Sequence, residues 1–194
     1  MRRIWGRSLR GMTLCNKIGI QAETMNKRWP NRKHPRLKHY DYDSTGAYFI
    51  TICTQNRECM LSRVVGRGRA PAVTSELEYT LWGEIAERQL LLLENRYSHL
   101  TIDRYVIMPN HIHMIAVLRY EAAGASPRPT IMDVICAYKS LTTRDCRKNG
   151  LEKRLFQTSF FDHIIRDRQE YEDHVRYIEK NPSEWCQDDL FSRN

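Results

Sequence analysis

His111 and His113, with Ile112 between them, are the two side chains of this chain best placed to share a ligand. They open an apolar run that ends at Leu118 and follows a second apolar run, Tyr105 to Met108, across Pro109 and Asn110. Residue types and spacing predict a strand, a turn and a strand. Both sides of the second run are apolar, which makes it a central strand covered on both faces. Residues i and i+2 of a strand share a face, so the imidazoles project together and Ile112 points the other way. Paired imidazoles hold a divalent ion through unprotonated ring nitrogens. The alternative is two polar residues at a hairpin mouth, satisfied by neighbouring carbonyls.

A second group lies near the C-terminus. Tyr177 and Asn181 are spaced i and i+4 on one face of a helix, and His174 shares that face. Val175 and Ile178 lie to another side, as anchors to a sheet. If the helix crosses the sheet, Asn181 offers an amide oxygen as a third ligand. Tyr177 offers a phenol, whose ordinary pKa near 10 needs help before it acts as a nucleophile. A cation there polarises a phosphate and stabilises its developing charge. The packing alternative for Tyr177 is a core aromatic with a hydrogen-bonded tip.

These groups need a scaffold. Gly46 to Gln55, rich in β-branched and aromatic residues, reads as the first strand. Residues 63–72 read as a basic, solvated loop whose glycines do not match a phosphate-binding loop. Thr74 or Ser75 caps a helix that runs to about Glu94, and Glu78 stands at the capping-box position relative to Ser75. Thr101 to Met108 and His111 to Leu118 are the next strands, and residues 121–129 form a linker. A second helix spans Thr130 to Arg147, with Ile131, Val134, Ile135, Tyr138 and Leu141 as its apolar stripe. Lys139, Arg144, Arg147 and Lys148 line its other side, as a phosphate-contacting or a solvated face. Phe160 to Ile165 is a short strand. A last helix runs from Arg168 to Lys180 and stops before Asn181-Pro182. The order β-α-β-β-α-β plus a helix predicts an α+β, ferredoxin-like antiparallel sheet with two helices on one face.

The 194 residues suffice for one domain with an extension. Six scattered cysteines without a C-x-x-C pair suit reduced thiols rather than a disulfide frame or zinc finger. No run reaches the length of a membrane span, and the basic start lacks the apolar core of a secretory signal. The expectation is a cytoplasmic, nucleoid-associated protein. The net charge of +8 is uneven. Residues 1–40 hold eleven Lys/Arg against the single acid Glu23, and the rest of the chain is slightly acidic. The division is a basic, partly disordered arm over 1–40 and a functional domain over 41–194. Within the arm, Arg28, Arg32, Lys33, Arg36 and Lys38 alternate with Trp29 and Tyr40. This mixture suits phosphate contacts and stacking on unpaired bases. Residues 1–24 have weak patterning, and Met25 is a possible functional start.

Taken together, the motifs resemble the HUH single-tyrosine transposases, in particular the REP-associated tyrosine transposases. The likeness rests on Met108-Pro109-Asn110-His111-Ile112-His113, on His39 to Asp43, on Gly46 to Arg57, on Phe161 to Asp167, and on Tyr177-Ile178 with Asn181-Pro182. It covers about residues 31–185. Phe156 stands where many relatives have Trp, and Phe161 where many have Tyr. The resemblance implies a metal-dependent nuclease that cuts single-stranded DNA beside hairpin repeats. Tyr177 would form a 5′-phosphotyrosine and leave a free 3′-OH that can rejoin the strand. His111 and His113 would be metal ligands with Asn181 assisting, and the ion Mg²⁺ or Mn²⁺. Relatives occur as monomers and as homodimers. Tyr171 is the rival nucleophile, but it lies about 240° around the helix from Tyr177 and off the Asn181 face. The competing functions are a catalytically silent DNA-hairpin binding protein on the same fold and a ferredoxin-like RNA-binding module. The latter usually carries aromatics where this chain has histidines.

Overall fold

The computed structural model describes residues 45–65, 76–119 and 129–192. The basic arm, with Arg28, Arg32, Lys33, Arg36 and Lys38, lies outside the described residues. So do Thr74, Ser75 and most of the loop and linker expected over 63–72 and 121–129. The elements in chain order are β1 (Gly46–Cys53), a 3-10 turn (Gln55–Arg57), β2 (Ser62–Val65), β3 (Glu76–Tyr79), α1 (Leu81–Arg96), β4 (Leu100–Ile107), β5 (His111–Leu118), α2 (Ile131–Lys148), β6 (Phe161–Ile165), α3 (Arg168–Glu184) and a second 3-10 turn (Trp185–Gln187).

Four strands form an antiparallel sheet in the order β4-β5-β1-β6, the split β-α-β arrangement expected from the element order. β5 is central, and seven of its eight residues are buried. The pleat sorts its side chains. Ile112, Met114 and Ala116 join Tyr48, Ile50 and Ile52 of β1 in one core with Ile85, Leu90 and Leu93 of α1 and Val134, Ile135 and Tyr138 of α2. Each such side chain contributes roughly 1.5–3 kcal/mol by leaving water. The alternate residues, among them Phe49, Thr51, His111 and His113, face the opposite layer. There α3 packs on β4 and β5.

Two helix boundaries differ from the sequence expectation, and residues 63–65, expected in a solvated loop, belong to β2. The first helix does not start at Thr74 or Ser75, because Glu76–Tyr79 is strand β3, paired with β2. Residues 76–79 alternate between exposed and half-buried, which is a period of two rather than of 3.6. The cap is Thr80. Its hydroxyl donates to Met60 O at 2.5 Å and accepts from Gly83 N at 3.3 Å, and its own N–H donates to Leu61 O at 2.9 Å. The turn of helix is thereby tied to the chain leaving β1. The last helix does not stop at Lys180 but continues through Pro182 to Glu184. Proline only biases its predecessor away from helix. Here Asn181 is buried, and its amide donates to Asp188 at 2.7 Å, so tertiary contact holds residue 181 helical. α2 follows expectation, with a full capping box between Thr130 and Asp133. It ends at Asn149 and at Gly150, whose φ of 98° favours glycine.

Gly83 is the tightest joint of this scaffold. A Cβ there would stand 2.0 Å from Leu61 O, a backbone atom that cannot step aside. Gly83→Ala is expected to cost about 2 kcal/mol or more, a fall of roughly 4–8 °C in Tm for a fold of this size. A thermal melt indistinguishable from the parent's would show that α1 is free to shift away from residue 61.

Candidate metal and tyrosine site

The site begins with the β1–β5 register, which sets Thr51 opposite His113 and Cys53 opposite His111. Thr51 Oγ1 meets His113 Nδ1 at 2.8 Å. Asn110 holds the other ring. Its Nδ2 donates to Leu190 O at 2.7 Å and to Arg57 O at 3.2 Å, which turns Oδ1 toward His111 Nδ1 at 2.8 Å. His111 Nδ1 must then carry the proton, and Nε2 is left with its lone pair. That Nε2 is buried and has no hydrogen-bond partner among the described residues. Outer partners of this kind fix the tautomer of ligating histidines.

α3 brings the second half of the site. Tyr177 Oη lies 3.4 Å from His113 Nε2 and donates to Asp188 Oδ2 at 3.2 Å. Asn181 Nδ2 donates to the same carboxylate oxygen, which leaves the buried Asn181 Oδ1 without a hydrogen-bond partner. Phe49 packs under the helix, 4.5 Å from the His174 ring and 5.1 Å from that of His113. Tyr177, Asn181 and His174 therefore share the inward face, as their spacing predicts. Tyr171 does not reach the histidines; its hydroxyl donates to Asp103 of β4 and pins the first half of α3 to the sheet edge.

Burial governs the electrostatics. It pushes the His111 pKa down to about 3, with a smaller contribution from the charge of Arg57. His113 is likewise well below the ordinary histidine value, first through burial and then through His111, while Asp188 pulls the other way. Both rings are thus neutral and able to ligate near pH 7. Tyr177 is raised above the ordinary phenol value, by burial first and then by the negative charge of Asp188. Its hydroxyl keeps its proton unless positive charge arrives beside it.

That requirement matches the donor set. One ligand atom each from His111, His113 and Asp188 lie within 4.8 Å of one another, and the buried Asn181 amide is joined to Asp188 through its Nδ2. Two imidazoles and a carboxylate, with an amide oxygen in reserve, fit a divalent cation, and the orphaned His111 Nε2 is a position such a cation would satisfy. Asp188 had not emerged from the sequence. It lies beyond the helix, where no periodicity applies, and the pair Asp188-Asp189 behind Trp185 was its only trace. Thr51 was equally hidden, since only the strand register places it against His113.

The basic residues expected on α2 lie on that helix and do not join the His111, His113 and Asp188 cluster. Lys139 is half-buried and donates to Thr158 O and Ser159 O, whereas Arg144 is exposed on the solvent side of the helix.

A ferredoxin-like sheet with a histidine pair on its central strand and a helix-borne tyrosine against it defines the class. No protein-family model matches the chain. It belongs to one family with a Haemophilus influenzae protein, described only as uncharacterized, to which it is 30% identical over 176 residues, covering 83% of this chain and 93% of that protein. Among solved structures, the chain shares the fold of a REP-associated tyrosine transposase determined bound to a REP hairpin. The TM-score is 0.55 and the identity 21%, over 77% of this chain and 74% of that one. A candidate transposase from Deinococcus radiodurans is a looser match, with a TM-score of 0.41 and 16% identity over 75% of this chain and 95% of that one.

Two outcomes are expected of this geometry. Saturating Mn²⁺ should raise the Tm by roughly 5–10 °C, and His111→Ala should abolish the rise; an unmoved melt for the parent protein would remove the metal site. Without metal, the unfolded chain takes up a proton at His111 near pH 6.5, whereas the folded chain resists until about pH 3. The unfolded state therefore binds more protons in that window, and stability falls as pH drops through it. The limit is about 1.4 kcal/mol per pH unit for each such imidazole. Urea melts from pH 7 to 5 should show this slope, and His111→Gln should flatten it.

Proposed function

We propose that the chain is a transposase-like endonuclease that nicks and rejoins single-stranded DNA beside hairpin repeats, with Tyr177 as nucleophile. The observation that carries this reading is the convergence of Tyr177 Oη, His113 Nε2 and the Asp188 carboxylate, with the ring of His111, whose Nε2 is partnerless, 4.3 Å from that of His113. The hairpin bound by the REP-associated transposase of the same fold supports a hairpin substrate here. Tyr177 Oη attacks the phosphorus and its proton passes to Asp188. The 3′ oxygen departs, takes up a proton and becomes a free 3′-OH, and the 5′ phosphate stays on the tyrosine. Attack of a 3′-OH on that phosphotyrosine regenerates the phenol and joins the strands, so no outside energy source is needed. Mg²⁺ or Mn²⁺, held by His111 and His113 with Asp188 or Asn181, would polarise the phosphate and offset the carboxylate charge that keeps the phenol protonated.

The domain over 41–194 would do this chemistry. The arm over 1–40, through Arg28, Arg32, Lys33, Arg36 and Lys38, would add phosphate contacts, as would the α2 face with Lys139 and Arg144. DNA binding of this kind would hold the protein at the nucleoid, as a monomer or a homodimer. A helix long and apolar enough to cross a membrane is absent from the described residues.

One observation favours the silent hairpin binder. His111 and His113 are 0% and 2% exposed, so a strand reaches them only after a rearrangement of the chain around them. A single assay separates the readings: incubation with hairpin DNA from the flanks of its own gene, with Mn²⁺ or EDTA, followed by a denaturing gel. A covalent protein–DNA band that needs metal and is lost in Tyr177→Phe, with DNA binding retained, is the expected result. Tight binding without a band would leave the silent binder standing.

A further inference from the structure

The solvent side of α2 and the chain that follows it enclose an open groove of about 920 Å³. Its lining includes Lys139, Arg144, Arg147, Lys148 and Arg154 but neither aspartate nor glutamate. Arg144, Arg147, Lys148 and Arg154 are exposed. Among the described residues Arg144 and Arg147 have no ion-pair partner, and Lys148 has only a 3.7 Å contact with Asp145. Isolated cations crowded into one concavity repel one another and attract a polyanion. Arg144 and Lys148 stand one helical turn apart, about 6 Å along the axis. One strand of a DNA duplex carries a charge about every 3.4 Å of its axis, so this row spans about two phosphates.

The groove is shaped for backbone, not bases. Its single aromatic, Phe156, is 3% exposed and offers no stacking surface, whereas unpaired strands are usually held by exposed aromatics. Its wall is also rigid. Lys139 ties Thr158 and Ser159 to α2, and Arg154 donates to Phe156 O at 3.0 Å and to Thr158 Oγ1 at 2.9 Å. The wall is in register with the site. Gln55 N donates to Leu155 O and Gln157 N to Cys53 O, while Thr54 N donates to Asn110 O, next to His111. Residues 155–157, 53–55 and 110–111 are thus three neighbouring strand positions, which sets the wall on the order of 10 Å from the histidine strand.

We propose that this groove seats the phosphate backbone of a paired DNA stem, with Arg144, Arg147, Lys148 and Arg154 as its contacts and Lys139 as the residue that positions its wall. The assignment rests on the hairpin-processing reading above and adds where the duplex part sits. Through residues 53–55 the groove wall is joined to the strand that carries the histidine pair.

The test compares the parent with Arg144→Gln/Arg147→Gln/Lys148→Gln, and with a control, Arg63→Gln/Arg96→Gln/Arg168→Gln, that loses the same charge elsewhere. Fluorescence anisotropy would follow two probes across a salt series: a hairpin with an unpaired 5′ extension, and the extension alone. Removing the groove cations should weaken hairpin binding roughly 10- to 100-fold at about 0.15 M salt and lower the salt slope by about 0.9 per lost contact. The extension alone and the control variant should be unaffected. Parent-like hairpin binding by the groove variant, or an equal loss in the control, overturns the groove. An equal loss for the extension alone overturns the stem assignment. A parent protein that cuts the hairpin while the groove variant binds it unchanged refutes only the groove. A parent that binds neither probe refutes the hairpin-processing reading, and the groove with it.

Discussion

The pairing of β1 with β5 is the constraint on which the site depends. Its register runs unbroken from Gly46 opposite Leu118 to Cys53 opposite His111. A slip of one residue would turn every side chain of one strand to the other face. His111 and His113 would then enter the core under α1 and α2, and Ile112 and Met114 would face α3. Apolar burial on the helix side forbids that slip, since Tyr48, Ile50, Ile52, Ile112 and Met114 are all fully buried there. The core thus determines which way the imidazoles point, although it never touches their chemistry.

The opposite layer is arranged around keeping those imidazoles dry. Trp185 lies 5.8 Å from the His111 ring, Phe191 stacks edge-on against Trp185, and Asn110 binds Leu190 O. Neutral imidazoles tolerate such a setting at low cost, but a phenolate beside an uncompensated carboxylate does not. The arrangement therefore has a sign. Without positive charge it holds Tyr177 protonated, and with it the same carboxylate is in position to accept the phenol proton. Placement of the tyrosine relies on remote anchors: Tyr171 on Asp103, and His163 Nε2 against Glu170 at 2.6 Å. These contacts fix the first turn of α3, and helical geometry carries the position on to residues 177 and 181.

What the sequence disclosed follows from the range of each interaction. The period of two in β5 and the i, i+4 spacing of Tyr177 and Asn181 are local, so the histidine pair and the inward helix face could be read directly. Element order sufficed for the sheet because connections in such folds are short. Thr51 acquires its role only through strand pairing and Asp188 only through the return of the chain beyond α3, and no local pattern marks either; Asn110 stands in the histidine motif, but Arg57 and Leu190 set its orientation. The β2–β3 hairpin escaped for a related reason. Four residues such as Glu76 to Tyr79, beside a strong helical stripe, satisfy a capping-box spacing as readily as a short strand. Contact with the chain at Met60 and Leu61 decides between them.

The fold also divides its labour by exposure. The groups that would do chemistry are buried behind the chain's own C-terminal segment, and the groups that would grip phosphate stand in open solvent on α2. Burial strengthens electrostatics within a site but bars a polyanion from entering unaided. Exposure weakens each cation yet lets several act at long range, before any close contact forms. A strand held first by exposed charge would reach the Asp188 segment at high local concentration. The rearrangement that would admit a phosphate to the buried histidine pair would then follow capture of the strand instead of waiting on encounter from bulk solution.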